Sequence, residues 1–173
     1  MKNVPLNDLS RLSKTEVREL SRKAESVISS GQFLFGPHTE ELMSNLSGRT
    51  SGSEVVCVGN GTDALYLALA VLGIGEGSRV LTVPNAGGYA SGAALRLGAT
   101  PVIVDCDPVT AQMSPESLQQ VLARGRADVV VITHLYGLAA PIEVLADLCA
   151  RHGVKVLEDC AQSFGCVVNG RPV

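Results

Sequence analysis

The sequence contains no tryptophan, and aromatic residues make up only 3% of it. A core without large rings has to be built from Ala, Val, Leu and Ile, which suits α/β layers where small residues let helices lie close on a sheet. A large excess of charge of one sign is also missing: the formal net charge is −3, with acidic and basic residues interspersed. No basic face or basic–aromatic segment of the nucleic-acid-binding kind occurs, so a nucleic-acid partner is not expected. No apolar run reaches the length of a membrane span, and the first residues, Met1-Lys2-Asn3-Val4-Pro5, lack the apolar stretch of a signal peptide. The five cysteines (57, 106, 149, 160 and 166) are odd in number and include no Cys-x-x-Cys pair. A disulfide framework or zinc knuckle is therefore not expected, and a cytoplasmic, reducing setting is. Cys57, Cys106 and Cys160 lie in or beside apolar runs and read as small core residues.

What is present is a chain of 173 residues with 46% apolar content, enough for one domain with a sizeable core. Residues 1–50 are the most polar and read as a helical segment. Val17, Leu20, Ala24, Val27 and Ile28 form one stripe of a helix over Glu16 to Ser29, capped by Ser13 or Thr15 and ended by Gly31. A second helix is expected from Pro37 towards Leu46. From residue 51 onward the pattern becomes strand, loop, helix, repeated. Strands are expected at Val55–Val58, Arg79–Val83, Pro101–Val104, Val129–Thr133 and Val154–Leu157. Helices are expected at Thr62–Leu72, Tyr89–Leu97, Pro115–Ala123 and Ile142–His152. Strands this apolar belong in a mostly parallel sheet, here a three-layer α/β/α arrangement of βαβ units. Asn169-Gly170 reads as a turn.

In such a sheet ligands bind beyond the carboxyl ends of the strands. Gly59-Asn60-Gly61-Thr62-Asp63-Ala64-Leu65 follows a strand and opens a helix. Its free N–H groups and the Thr62 hydroxyl suit a phosphate, and the plain alternative is a tight turn with Thr62 or Asp63 as the cap. The segment also fits Gly-x-Gly-x-x-Ala, but the second strand ends Thr82-Val83-Pro84-Asn85 without the acid that a nicotinamide dinucleotide requires. Asp159 ends an apolar strand, where a carboxylate needs a partner. A protonated pyridine nitrogen is one such partner, and a turn cap is the other reading. Glu158 alternates to the opposite face. His134 and Tyr136 follow a further strand and could line the same cleft, although a structural histidine is the commoner case.

Taken in order, Gly36-Pro37, Gly-Asn-Gly-Thr-Asp-Ala-Leu, Val-Pro-Asn, Pro101-Val102-Ile103-Val104-Asp105, His-Leu-Tyr-Gly and Glu-Asp-x-Ala-Gln-Ser-x-Gly resemble the DegT-type sugar aminotransferases, which are fold-type-I pyridoxal-phosphate (PLP) enzymes. The resemblance covers nearly the whole chain. It implies that residues 51–173 are part of a PLP-binding large domain. It implies that Gly61, Thr62 and Asp63 hold the cofactor phosphate, that Asp159 meets the pyridinium nitrogen, and that Gln162 meets the ring hydroxyl. The family's stacking aromatic falls, ungapped, on Gly88, which puts Tyr89 one place later as the stacking candidate. The implied activity is transfer of an amino group from an amino acid such as glutamate to a nucleotide-linked keto-sugar, in a homodimer. The lysine that binds the cofactor covalently has no match among Lys2, Lys14, Lys23 and Lys155. The chain is therefore expected to be a truncated, inactive part without that lysine or the family's C-terminal domain. Two other readings stay open: a non-catalytic remnant that binds a phosphorylated ligand or partner, and a PLP-dependent sugar dehydratase relative.

Overall fold

A computed structural model describes residues 8–50 and 52–173. The chain divides into two compact units, Met1–Cys57 and Val58–Val173.

The first unit carries helices α1 (Lys14–Ser30) and α2 (Pro37–Arg49). Ser13 starts α1 with a full capping box: its hydroxyl accepts from the Glu16 N–H, and the Glu16 carboxylate accepts from the Ser13 N–H. Gly31 ends α1 in the left-handed region, at φ 69°. Pro37 occupies the first turn of α2, where its missing N–H costs nothing. Neither helix contains a buried residue.

The second unit is built on a four-stranded parallel sheet in the order β2-β1-β3-β4. The strands are β1 (Arg79–Thr82), β2 (Thr100–Ile103), β3 (Val129–Thr133) and β4 (Lys155–Asp159). Between them run α3 (Gly61–Val71), α4 (Tyr89–Arg96), α5 (Pro115–Arg124) and α6 (Ile142–Arg151). Strand residues alternate between two cores, as the pleat requires. Val80, Val129 and Val131 pack with Leu65 and Leu69 of α3 and with Ala90, Ala93 and Ala94 of α4. Leu81, Val130 and Ile132 pack on the other face with Leu118 of α5 and Leu145 of α6. The three-layer α/β/α reading is therefore the observed architecture. Strand β3 lies in the middle and is buried throughout, which explains its Val-Val-Val-Ile run.

The expected strand at Val55–Val58 does not form. Residues 53–58 pair with no strand among the described residues, and Val56 is 82% exposed. An apolar run becomes a strand only where a neighbour completes its hydrogen-bond ladder, and none does here. At the other end, Asn169-Gly170 turns between β5 (Val167–Val168) and β6 (Arg171–Pro172), both residues at positive φ. The cysteine reading needs correction too. All five are free thiols, but Cys57, Cys106 and Cys160 are only partly buried, and the fully buried one is Cys149 on α6. Without the 55–58 strand, Cys57 has no sheet to pack in. No described helix is long and apolar enough to cross a membrane.

Candidate functional site

The chain leaves β1 towards β2 on one side of the sheet and β3 towards β4 on the other. The carboxyl ends of β1 and β3 therefore flank a switch point, the usual place for a ligand in an open α/β sheet. Four segments reach this end: the start of α3, the loop after β1, the loop after β3 and the loop after β4.

The start of α3 is capped by neither Thr62 nor Asp63 but by Asn60. Its side-chain oxygen accepts from the Asp63 N–H at 2.9 Å, and its amide donates to the Asp63 carboxylate at 2.8 Å. The N–H groups of Gly61 and Thr62 have no partner among the described residues. Two donors and the positive end of the helix dipole are thus left for an anion. Asp63 is a negative charge beside them, and Arg96 lies 3.6 Å from it while stacking 4.4 Å from the centre of the Tyr66 ring.

In the loop after β1, Gly87 and Gly88 both sit in the left-handed region, at φ 67° and 74°. Tyr89 opens α4 from this double turn and is 60% exposed. Its ring folds back over Gly87, where an added Cβ would meet Tyr89 Cε2 at 2.7 Å. Gly87→Ala is expected to cost about 1–2 kcal/mol from the left-handed backbone alone, and more from displacing Tyr89. A melting curve checks it, and an unchanged midpoint would show that the loop adapts freely.

The loops after β3 and β4 are clamped together. Alternation along β4 puts Asp159 on the α3/α4 face with Leu157, and Glu158 on the α5/α6 face with Val156. Asp159 Oδ1 accepts from the Ala161 N–H at 3.2 Å, so the carboxylate does cap the following turn; Oδ2 has no partner among the described residues. Gln162 Oε1 accepts from the Tyr136 N–H at 3.0 Å, and its amide NH2 has no partner among the described residues. Tyr136 is exposed and itself left-handed, at φ 61°.

His134 does not line the cleft. It is fully buried, and its Nδ1 accepts from the Ala140 N–H at 2.9 Å. A ring nitrogen that accepts carries no proton, so the N–H sits on Nε2, facing Glu158 Oε2 at 3.2 Å. His134, Glu158 and Cys160 bring ligand-type atoms within 4.8 Å of one another. Nε2 has no lone pair to give a metal in that tautomer, so the group is a hydrogen-bonded pair beside a thiol. Burial pushes the Cys160 thiol up to about 11, with Glu158 and Asp159 adding to the shift, which keeps it protonated at neutral pH.

Two residues of this clamp were missed by sequence reasoning. Gln112, buried, accepts from the Leu135 N–H and donates to the Leu135 carbonyl, both at 3.1 Å. Ser163, also buried, donates to the His134 carbonyl at 2.9 Å. Gln112 ties the 134–137 loop to the segment after β2, and Ser163, with Gln162, ties it to the 159–163 loop.

The model of the DegT/DnrJ/EryC1/StrS aminotransferase family matches residues 14–173. The chain belongs to this family. It is 33% identical over 99% of its length to the pleiotropic regulatory protein of Geobacillus stearothermophilus, covering 46% of that protein. It is 32% identical over 85% of its length to the UDP-2-acetamido-2-deoxy-3-oxo-D-glucuronate aminotransferase of Pseudomonas aeruginosa, covering 41% of that one. Among solved structures, DesV from S. venezuelae, determined in complex with a ketimine intermediate, superposes with a TM-score of 0.92 at 31% identity, over all of this chain and 46% of its own. The fold is that of the fold-type-I PLP-dependent aminotransferases. The chain spans less than half the length of these relatives.

Proposed function

We propose that this chain forms the cofactor-holding part of a PLP-dependent aminotransferase that moves an amino group, from glutamate, onto a nucleotide-linked keto-sugar. The observation that carries the reading is the donor and acceptor set at the switch point. Two free N–H groups and a hydroxyl stand at the start of α3, matched to a phosphate. A carboxylate oxygen without a partner stands at the end of β4, matched to a pyridinium N–H. The Gln162 amide NH2, without a partner among the described residues, is matched to an anionic ring oxygen.

Gly61 and Thr62 hold the phosphate through their N–H groups and the Thr62 hydroxyl. Asp63 braces that helix start through Asn60, with its charge offset by Arg96. Asp159 keeps the ring nitrogen protonated, Gln162 donates to the ring hydroxyl, and Tyr89 stacks on the ring. PLP, when bound, supplies the electron sink that makes the substrate proton acidic. None of the four lysines in the sequence matches the family's cofactor-binding lysine, so the proposal has the 173 residues alone not catalyse transfer.

The protein works as a homodimer in the cytoplasm. The consecutive exposed residues Phe33, Leu34 and Phe35 support a subunit contact, and five free thiols support a reducing compartment. The activity is tested by supplying the whole protein with PLP, glutamate and a panel of nucleotide-linked keto-sugars. Formation of an amino sugar together with 2-oxoglutarate supports the reading. Loss of a sugar hydroxyl without consumption of glutamate identifies a dehydratase instead.

A further inference from the structure

Two side-chain oxygens in the described structure are buried without any hydrogen-bond partner: Oγ1 of Thr82 and Oγ1 of Thr133, on residues that are 1% and 4% exposed. Buried hydroxyls are normally satisfied, and an orphan needs a reason. Both threonines lie on the α3/α4 face of the sheet. Thr82 follows Val80 by two on β1, and Thr133 follows Val131 by two on β3. Their neighbours differ. Thr82 stands beside Ile103 on β2, which offers no acceptor. Thr133 stands in register beside Asp159 on β4.

We infer that Thr133 is a positioning residue for Asp159, its hydroxyl donating to the carboxylate when that carboxylate engages a pyridine ring nitrogen. The inference rests on the cofactor reading above and adds a residue to it. Adjacent strands lie about 4.8 Å apart, so register partners on one face have neighbouring side chains. A threonine hydroxyl moves between staggered wells by rotation about a single bond, and the inference has such a rotation turn it towards the neighbouring carboxylate. The carboxylate has room for it: only the Ala161 N–H occupies it now, and an ionised carboxylate offers about four acceptor sites. The sequence points the same way. Val129-Val130-Val131-Ile132 is an unbroken aliphatic run, and Val would fill the next buried position with nearly the shape of Thr. The hydroxyl is the one chemical difference, and packing has no use for it.

The test uses the protein as its gene encodes it, with pyridoxamine 5′-phosphate labelled with 15N in the ring as the probe. Affinity comes from calorimetric titration, and the 15N signal reports whether the ring nitrogen holds its proton. Thr133→Val is expected to weaken binding about ten- to a hundredfold, the usual worth of a hydrogen bond to a charged group, and to shift the ring 15N signal. Thr133→Ser keeps the hydroxyl and is expected to stay near wild type in both. Thr82→Val, the matched control, removes an orphan with no acceptor beside it and is expected to leave both readouts unchanged. Melting without ligand shows that each variant folds, and neither Val variant is expected to melt lower than wild type. Equal weakening by Thr133→Val and Thr133→Ser would assign the effect to packing and overturn the inference. Wild-type affinity and an unmoved 15N signal in Thr133→Val would overturn it while leaving the cofactor site standing. Failure of the wild-type protein to bind the probe would remove the cofactor reading itself, and the inference with it.

Discussion

Supplied with PLP, glutamate and nucleotide-linked keto-sugars, the 173-residue chain is expected to form no amino sugar above the enzyme-free background. Transamination needs an amine that binds the cofactor covalently and then shuttles a proton at the substrate carbon, so losing it removes both nucleophilic and acid–base catalysis. Among the described residues Lys155 is the only lysine on the sheet, and it sits at the end away from Asp159. Its Nζ donates to the Leu72 carbonyl at 2.7 Å, where it caps the far end of α3. It is four residues from Asp159 along an extended strand, a separation of about 13 Å. Lys14 begins α1, Lys23 pairs with Glu41 at 3.7 Å, and Lys2 lies outside the described residues. Borohydride treatment followed by peptide mapping checks the point. Scattered adducts on surface lysines agree with it. One stoichiometric adduct on a single lysine, accompanied by turnover, would contradict it.

Joined to the remainder of a family enzyme, Asp159→Ala is expected to lower turnover on the order of 10²-fold or more while cofactor content falls far less. On the proposed reading the carboxylate acts on the charge of the ring nitrogen, and that charge matters most as the substrate proton leaves, so the loss is expected to fall on the transition state. On the proposed reading, retention depends on other groups, mainly the Gly61 and Thr62 N–H donors, which no side-chain substitution at 159 removes. The competing role is visible in the structure: Asp159 Oδ1 also caps the turn at Ala161. Loss of a cap costs about 1 kcal/mol. A lowered melting temperature with near-normal turnover would leave Asp159 as a cap and nothing more. Asp159→Asn separates the two roles further, since the amide oxygen can still accept from Ala161 but carries no charge.

Much of this architecture was readable from residue order because each βα unit carries its own local signal. The Val-rich β3, the helix start near Ser13 and the Asn169-Gly170 turn are decided within a few residues. The Val55–Val58 strand failed for the opposite reason: its composition suits a strand, but pairing depends on a neighbour that composition does not reveal. The site divides the same way. Gly61, Thr62 and Asp159 were legible as a helix start and a strand-end carboxylate. Asn60 as the true cap was equally local, and the glycine signal drew attention away from it. Gln112 and Ser163 gave no local sign, because their partners lie 23 and 29 residues away across loop folds. His134 read as a cleft candidate because strand-end position is a local cue. Its burial and its tautomer are set by Ala140 and Glu158, and only the folded chain brings those to the ring.

The central claim is that the start of α3 and the end of β4 grip the two ends of one cofactor. A crystal structure with pyridoxamine 5′-phosphate tests it most directly, because this form needs no lysine to bind. The account predicts the phosphate on the Gly61 and Thr62 N–H groups and the ring nitrogen within hydrogen-bond distance of Asp159. A phosphate bound elsewhere, or a ring whose nitrogen faces away from Asp159, would contradict it.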